Sequence, residues 1–316
     1  MKYFPPVRVS VVGVGYMGTL HARKLKSIDS AELVGVWDID KSRREQVAAE
    51  LGTKAFNSLD EAIGYAQAVV LATPSDTHGK LGMHIIQLGR HILIEKPIAI
   101  NEEEASILLE LADEYDVILM TGHIENFNPA FMIGKEFIQK PIFVEAHRLT
   151  AFRDRGVEVS VIEDLMIHDL ELVAQLCGTD VDSVDVVSAP VITDKPDIAQ
   201  VRLKYSDGCV VNLTASRLSL SPKRKMRIFQ KNSYVGMDFG EREVEVARIA
   251  EKPAEGEVIN WGGKKIELLR PQVPDSDPLE TELRHFIDCI NHNRRPDNSS
   301  AIWAVKMCGY ITRHSR

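Results

Sequence analysis

The chain has 316 residues, 44% hydrophobic and 27% charged, an ordinary balance for a folded protein with a buried core, and its length suggests two domains. Lysine and arginine number 38 against 46 aspartates and glutamates, and the net charge of −8 argues against a general nucleic-acid binder. The cysteines, at 177, 209, 289 and 308, follow no CxxC or metal-binding spacing, which points to reduced thiols in a cytoplasmic protein. The opening MKYFPPVRV lacks an apolar signal core, and no apolar run approaches the ~18 residues of a membrane span, so no membrane partner is expected.

Val7, Val9, Val11 and Val12 suit a parallel strand buried on both faces. That run passes into Gly13, Gly15 and Gly18, with Tyr16 and Met17 between, and then into an amphipathic helix pattern. The three glycines match a tight turn, a close backbone approach to a pyrophosphate and close helix–strand packing. A second apolar strand, 31–37, ends at Asp38, twenty residues past Gly18, where a carboxylate accepts hydrogen bonds from ribose hydroxyls and repels a 2′-phosphate. The expected cofactor is therefore NAD.

Strand and helix patterns then alternate to residue 120, as in a doubly wound sheet. A helix over 41–51 ends at Gly52, followed by a short strand at 54–56 and a helical turn at 60–64. A strand at 68–72 runs into Thr73-Pro74-Ser75-Asp76-Thr77-His78, and a helix follows with Thr77, Leu81, His84, Ile85 and Leu88 on one face. The strand 91–94 ends in Glu95-Lys96-Pro97. Asn101 with Glu104 is a capping-box signature for a helix reaching Tyr115, and a strand at 117–120 leads to Gly122-His123. The glycine turn, Asp38, Thr73–His78, Glu95–Pro97 and Gly122–His123 thus share the carboxyl edge of one sheet, outside which ligands bind.

Beyond His123 the pattern changes. A helix at 129–139, a strand at 142–150, a polar loop at 153–158 and a helix at 161–177 lead into alternating, turn-punctuated segments from 184 to about 269. Among these are strands at 199–205, 209–216, 225–230, 233–239 and 243–249, with Asp207-Gly208 as a hairpin turn. Two helices, 279–291 and 300–314, close the chain around the Arg295-Pro296 break. The expectation is an α/β protein: an N-terminal Rossmann dinucleotide-binding domain over 1–122, then an α+β domain over 123–316 with a large, open-faced, mostly antiparallel sheet. The last helix is allowed to pack back on the first domain.

Lys96, at the carboxyl end of a buried strand, is placed to bind a hydroxyl and help take its proton, although a lone lysine in a turn is usually a surface residue. Asp164 and His168 stand i and i+4 on one helix, with Leu165, Leu172, Val173 and Leu176 assigned to its core side. A carboxylate one turn from an imidazole fixes its tautomer and suits a general acid/base. An ordinary surface pair is the plainer account of such a spacing, and no further ligands stand where a metal would need them.

Taken together, VGVGYMG, the aspartate ending the second strand, ATPSDTH, EKP and EDLMIHD resemble the Gfo/Idh/MocA oxidoreductase family over essentially the whole chain. The resemblance implies an NAD(P)-dependent oxidoreductase acting on CH–OH groups. In it Lys96 is the catalytic lysine, Asp164 orients the substrate and His168 is the acid/base. It also implies that Pro97 shapes its turn, with a peptide that is often cis, and that Thr73, Pro74 and His78 run past the nicotinamide ribose. Gly13, Gly15, Tyr16, Met17, Gly18, Asp38, Glu95, Lys96 and Pro97 complete the expected cofactor contacts.

GHIENFNPAF, LMIHDLEL and ASRLSLSPKRKMRIFQ resemble the branch of that family that oxidises nucleotide sugars, converting the C3 hydroxyl of a UDP-N-acetylated sugar to a ketone. By that resemblance His123, Glu125, Asn126 and Asn128 contact the substrate beside Asp164 and His168. Asn126 departs from the branch, which has an arginine there and so a bidentate phosphate donor. A free cyclitol or aldose, or a hydrolase that oxidises and re-reduces its substrate, are the alternatives. His147 and Arg148 end a strand as substrate contacts or as cross-strand packing, with equal weight. Lys223, Arg224, Lys225 and Arg227 read as a solvated sheet edge before a nucleic-acid site or a phosphate contact from a neighbouring subunit. The family covers its open sheet by pairing subunits, which implies a homodimer or homotetramer.

Overall fold

The valine run forms β1 (Val7–Val12), buried on both faces except at Arg8. The computed structural model describes residues 4–152, 157–250 and 256–315. After β1 come α1 (Tyr16–Lys26), β2 (Ala31–Trp37), α2 (Lys41–Leu51), β3 (Lys54–Ala55), α3 (Leu59–Tyr65), β4 (Ala68–Leu71), α4 (His78–Gln87), β5 (His91–Glu95), α5 (Glu102–Glu114) and β6 (Leu119–Gly122). Local chemistry sets the helix starts: Asp40, Ser58 and Asn101 each accept a backbone N–H from the residue three later. Gly52 ends α2 at φ 59°, a left-handed position that suits glycine.

The six strands pair in parallel in the order β3-β2-β1-β4-β5-β6. This is the Rossmann order, and its direction reverses between β1 and β4, opening a crevice at their carboxyl ends. Strand β6 starts two residues later than the expected 117. The backbone N–H of Val117 turns back to the Ala112 carbonyl to close α5, so pairing with β5 begins at Leu119.

The remaining elements are α6 (Pro129–Gly134), β7 (Pro141–Leu149), a π-helical turn at Ile162–Met166, α7 (Ile167–Cys177), β8 (Val181–Ala189), β9 (Ile198–Tyr205), β10 (Val210–Ser216), β11 (Lys223–Gln230), β12 (Ser233–Asp238), β13 (Glu243–Ile249), β14 (Glu257–Trp261), β15 (Lys264–Leu269), α8 (Pro278–His292) and α9 (Ser299–His314). The second sheet runs β14-β15-β13-β12-β11-β7-β10-β9-β8. Its described pairs are antiparallel apart from the central β7–β10 pair. Alternation is clean in β9: Ala199, Val201, Leu203 and Tyr205 are buried while Gln200, Arg202 and Lys204 are exposed, which leaves that strand's open face polar.

Two corrections concern helices. The helix expected over 129–139 is α6 plus a 3₁₀ turn at Lys135–Phe137, and the one expected from 161 starts with the π-helical turn. Residues 153–156 of the expected polar loop lie outside the described residues. Two compact units emerge, 1–124 with 277–305, and 125–276 with 306–316. The chain thus changes unit two residues later than the expected boundary, and residues 277–305, including α8, belong to the first.

Candidate active site

In the first unit the glycine turn is built as its spacing implies. Gly13 has φ +83°, and a Cβ there would lie 2.7 Å from the Ala72 carbonyl oxygen. A Cβ on Gly18 would lie 1.8 Å from the Gly13 carbonyl oxygen, so α1 seats on the turn only without a side chain. A Cβ on Gly15 would meet nothing within 4 Å, so the backbone there is open to a ligand. Gly15 is the N-cap of α1 and has no side chain to occupy the helix's first N–H groups. Tyr16 is exposed and Met17 half-buried beside it. Asp38 is buried, its Oδ2 accepting the Val14 N–H and its Oδ1 the Asp40 N–H, both at 2.9 Å. A carboxylate has about four acceptor positions, so two remain for a pair of ribose hydroxyls. A cleft of about 510 Å³ adjoins the turn, lined in part by Gly15, Tyr16, Thr19, Arg43 and Gln46. These residues fit a dinucleotide.

At the end of β5, Glu95 is buried and bonds His21 Nε2 at 2.6 Å through Oε1, while Oε2 accepts the Lys96 N–H at 3.3 Å. Burial pushes this carboxyl up. The hydrogen bond from His21 and the positive charges of His21 and Lys96 outweigh that and hold it below the ordinary glutamate range. Glu282 of α8 joins them: one imidazole nitrogen and two carboxylate oxygens, all buried, lie within 4.8 Å of one another. Lys96 and Pro97 are half-buried and joined by a cis peptide. Thr73 Oγ1 and Thr77 Oγ1 lie 2.7 Å apart, and Pro74 is exposed beside them. His78 points inward: it is 1% exposed, with Nδ1 2.7 Å from the Pro97 carbonyl and Nε2 2.9 Å from the Thr73 carbonyl. Both of its ring nitrogens thus face backbone carbonyl oxygens. His123 is also buried.

In the second unit, Asp164 in the π-helical turn and His168 in the first turn of α7 are both half-exposed. A π-turn is uncommon and favours functional positions. Leu172 and Val173 are fully buried as expected, whereas Leu165 and Leu176 are only half-buried. The residue after the histidine carries the anchor: Asp169 takes Arg148 Nε at 3.0 Å and Nη2 at 2.8 Å, and Arg148 Nη1 reaches Glu125 at 2.7 Å. All three are buried. One guanidinium serves two carboxylates. Burial raises both, but Arg148 holds Glu125 below its ordinary range, while burial and the Glu125 charge leave Asp169 above its own.

Asn128 caps α6 and donates to Glu125 Oε2 and the Phe239 carbonyl. Asn126 donates to Glu171 at 2.7 Å and accepts from Gln175 at 2.7 Å. Arg148 thus joins Glu125 to Asp169 of α7, Asn128 is bonded to Glu125, and Asn126 is bonded to Glu171 and Gln175 of the same helix. Sequence reasoning passed over Asp169, Glu171, His21 and Glu282. Their one signal was position: Glu282 sits among Leu279, Leu283 and Phe286 on the buried stripe of α8, where an acid demands a partner.

Residues 7–123 match the family described as "Oxidoreductase family, NAD-binding Rossmann fold". A UDP-N-acetylglucosamine 3-dehydrogenase from Acidithiobacillus ferrooxidans is 35% identical over 289 residues, covering 91% of this chain and 90% of the relative. Its solved structure superposes with a TM-score of 0.90 at 32% identity, covering 99% and 98% of the two chains. A scyllo-inositol 2-dehydrogenase (NAD(+)) from Bacillus subtilis is 30% identical, covering 67% of this chain and 68% of the relative.

Proposed function

Because this chain belongs to the Gfo/Idh/MocA oxidoreductases and is an NAD-using dehydrogenase acting on a hydroxyl, we propose that it oxidises the C3 hydroxyl of a UDP-linked N-acetylated sugar. The observation that carries this is similarity to the UDP-N-acetylglucosamine 3-dehydrogenase along nine-tenths of both chains, against two-thirds for the inositol enzyme. His168 takes the hydroxyl proton, Lys96 polarises the same oxygen, and Asp164 holds substrate and imidazole in line. The backbone of Gly13–Gly18 takes the pyrophosphate and Asp38 the ribose hydroxyls. Bound NAD supplies the acceptor for the hydride leaving the carbon. The protein works as a homodimer or homotetramer joined through the polar face of the second sheet, and in the cytoplasm; among the described residues no helix is long and apolar enough to cross a membrane.

A second reading, oxidation of a free cyclitol or aldose, is favoured by Asn126, which is bonded to Glu171 and Gln175 and offers no cation to a diphosphate. The test is NADH formation with UDP-N-acetylglucosamine against free inositol and glucose. NADH with the nucleotide sugar that disappears in Lys96→Ala and His168→Ala supports the proposal. NADH with free polyols alone sinks the nucleotide-sugar reading. Turnover without NADH accumulation points to the recycling hydrolase.

A further inference from the structure

We propose that His78 is a buried imidazolium whose two N–H groups strap the turn after β4 to the turn that carries Lys96. Nδ1 lies 2.7 Å from the Pro97 carbonyl oxygen and Nε2 2.9 Å from the Thr73 carbonyl oxygen. A carbonyl oxygen only accepts, so each of these contacts needs a proton on the ring nitrogen. Neutral imidazole carries one N–H and one bare lone pair, and only the cation donates from both nitrogens. A neutral ring in this place, where His78 is 1% exposed, would press a lone pair against one of the two carbonyl oxygens.

The position opposes a positive charge in one respect. His78 is the first residue of α4, at the positive end of the helix dipole. The two carbonyl oxygens, whose negative dipole ends face the ring, offset this. Asp76 and Lys80 beside His78 in the chain, Glu102, Glu103 and Glu104 in the first turn of α5, and Glu95 and Lys96 at the end of β5 are charged groups of the elements around it.

The consequence is mechanical. Lys96 is held from both sides by buried histidines, through the Glu95 side chain by His21 and through the Pro97 carbonyl by His78. The second strap also ties that turn to Thr73, whose Cγ2 would lie 2.8 Å from a Cβ on Gly13 of the dinucleotide turn. His78 is thus a positioning residue for the lysine. The inference rests on the proposed role of Lys96, but its principal readout needs no substrate.

The test is long-range proton–nitrogen correlation NMR of the full chain with ¹⁵N-labelled histidine, at neutral pH. The His78 signals are those lost in His78→Gln or, should that variant not fold, those shifted in Thr77→Ser. The expected result is two protonated ring nitrogens for His78. A protonated nitrogen paired with a bare one overturns the proposal. In a folded His78→Gln, kcat is expected to fall at least tenfold with sugar KM little changed. Unchanged kcat would overturn the positioning role, whereas absence of turnover in the unaltered enzyme with every sugar would bear on the proposed function alone.

Discussion

Arg148 and Asp169 meet in a two-pronged ion pair, Nε to Oδ2 at 3.0 Å and Nη2 to Oδ1 at 2.8 Å, with both side chains sealed from solvent. The pair fixes α7 one residue beyond His168. Removing one partner of a buried pair leaves an uncompensated charge, and here Arg148→Ala strands two carboxylates. The expected loss of stability is about 3–5 kcal/mol by urea denaturation. Arg148→Lys recovers little of it, because an ammonium cannot reproduce the fork that serves Asp169 and Glu125 together. A loss below about 1 kcal/mol for Arg148→Ala would contradict the anchoring role.

Gly15 and Gly18 are separated by what their missing Cβ atoms would touch. Gly15→Ala meets no protein atom, so its melting temperature stays close to that of the parent while NAD affinity falls about tenfold or more, near 1.4 kcal/mol. Gly18→Ala drives a methyl into the Gly13 carbonyl, so it loses stability as well as cofactor. Thermal unfolding with and without NAD distinguishes the two patterns.

Asp197 supplies the pH prediction. It is fully buried, and burial raises its carboxyl, but N–H groups from Val191, Ile192 and Thr193 at 2.7–2.9 Å outweigh that and bring it down from 3.8 to about 2. A depressed carboxylate contributes stability that is present above its unfolded value and lost as pH falls through its folded one. Asp197→Asn should therefore cost about 2 kcal/mol at neutral pH. The gap should narrow as pH drops below 3.8 and close near 2. A gap independent of pH would show that the charge is not responsible.

The polar sheet face carries a row of paired positions, Asp185, Arg202, Asn212, Glu145, Arg227, Gly236 and Glu245, in which acids and bases alternate across seven strands. Such a row offers complementary charges to a second copy. Sedimentation at micromolar protein is expected to show a dimer or tetramer that weakens as salt is raised. Monomer alone would overturn the proposed assembly.

Much of the first unit was legible in the sequence because its signals are local. Valine runs, glycines at fixed offsets and side-chain caps each act within a few residues, and they place the glycine turn, Asp38, the Asn101 cap and the edge bearing Lys96. Periodicity likewise placed β7 and β9 to β13 of the second sheet, since alternation is imposed by one buried face, whereas it set no bounds for β8, β14 and β15. The departures arose where a distant partner decides. Arg148 read equally as a ligand contact or as packing until Asp169 and Glu125, 21 and 23 residues away, engaged its donors. Asn298 was not singled out, although it accepts from the Thr121 N–H and hydroxyl and donates to the Leu119 carbonyl, completing the outer edge of β6.

The sequence by itself thus determined the alternation of strands and helices in the first unit and the glycine turn with Asp38 beyond it, which follow from short-range backbone geometry and residue type. Only the tertiary structure decided which polar residues are consumed by buried partners. A buried hydrogen bond depends on a partner brought close by folding, and no spacing along the chain reveals it. The two nitrogens of His78, each against a carbonyl oxygen from a different turn, are the clearest case.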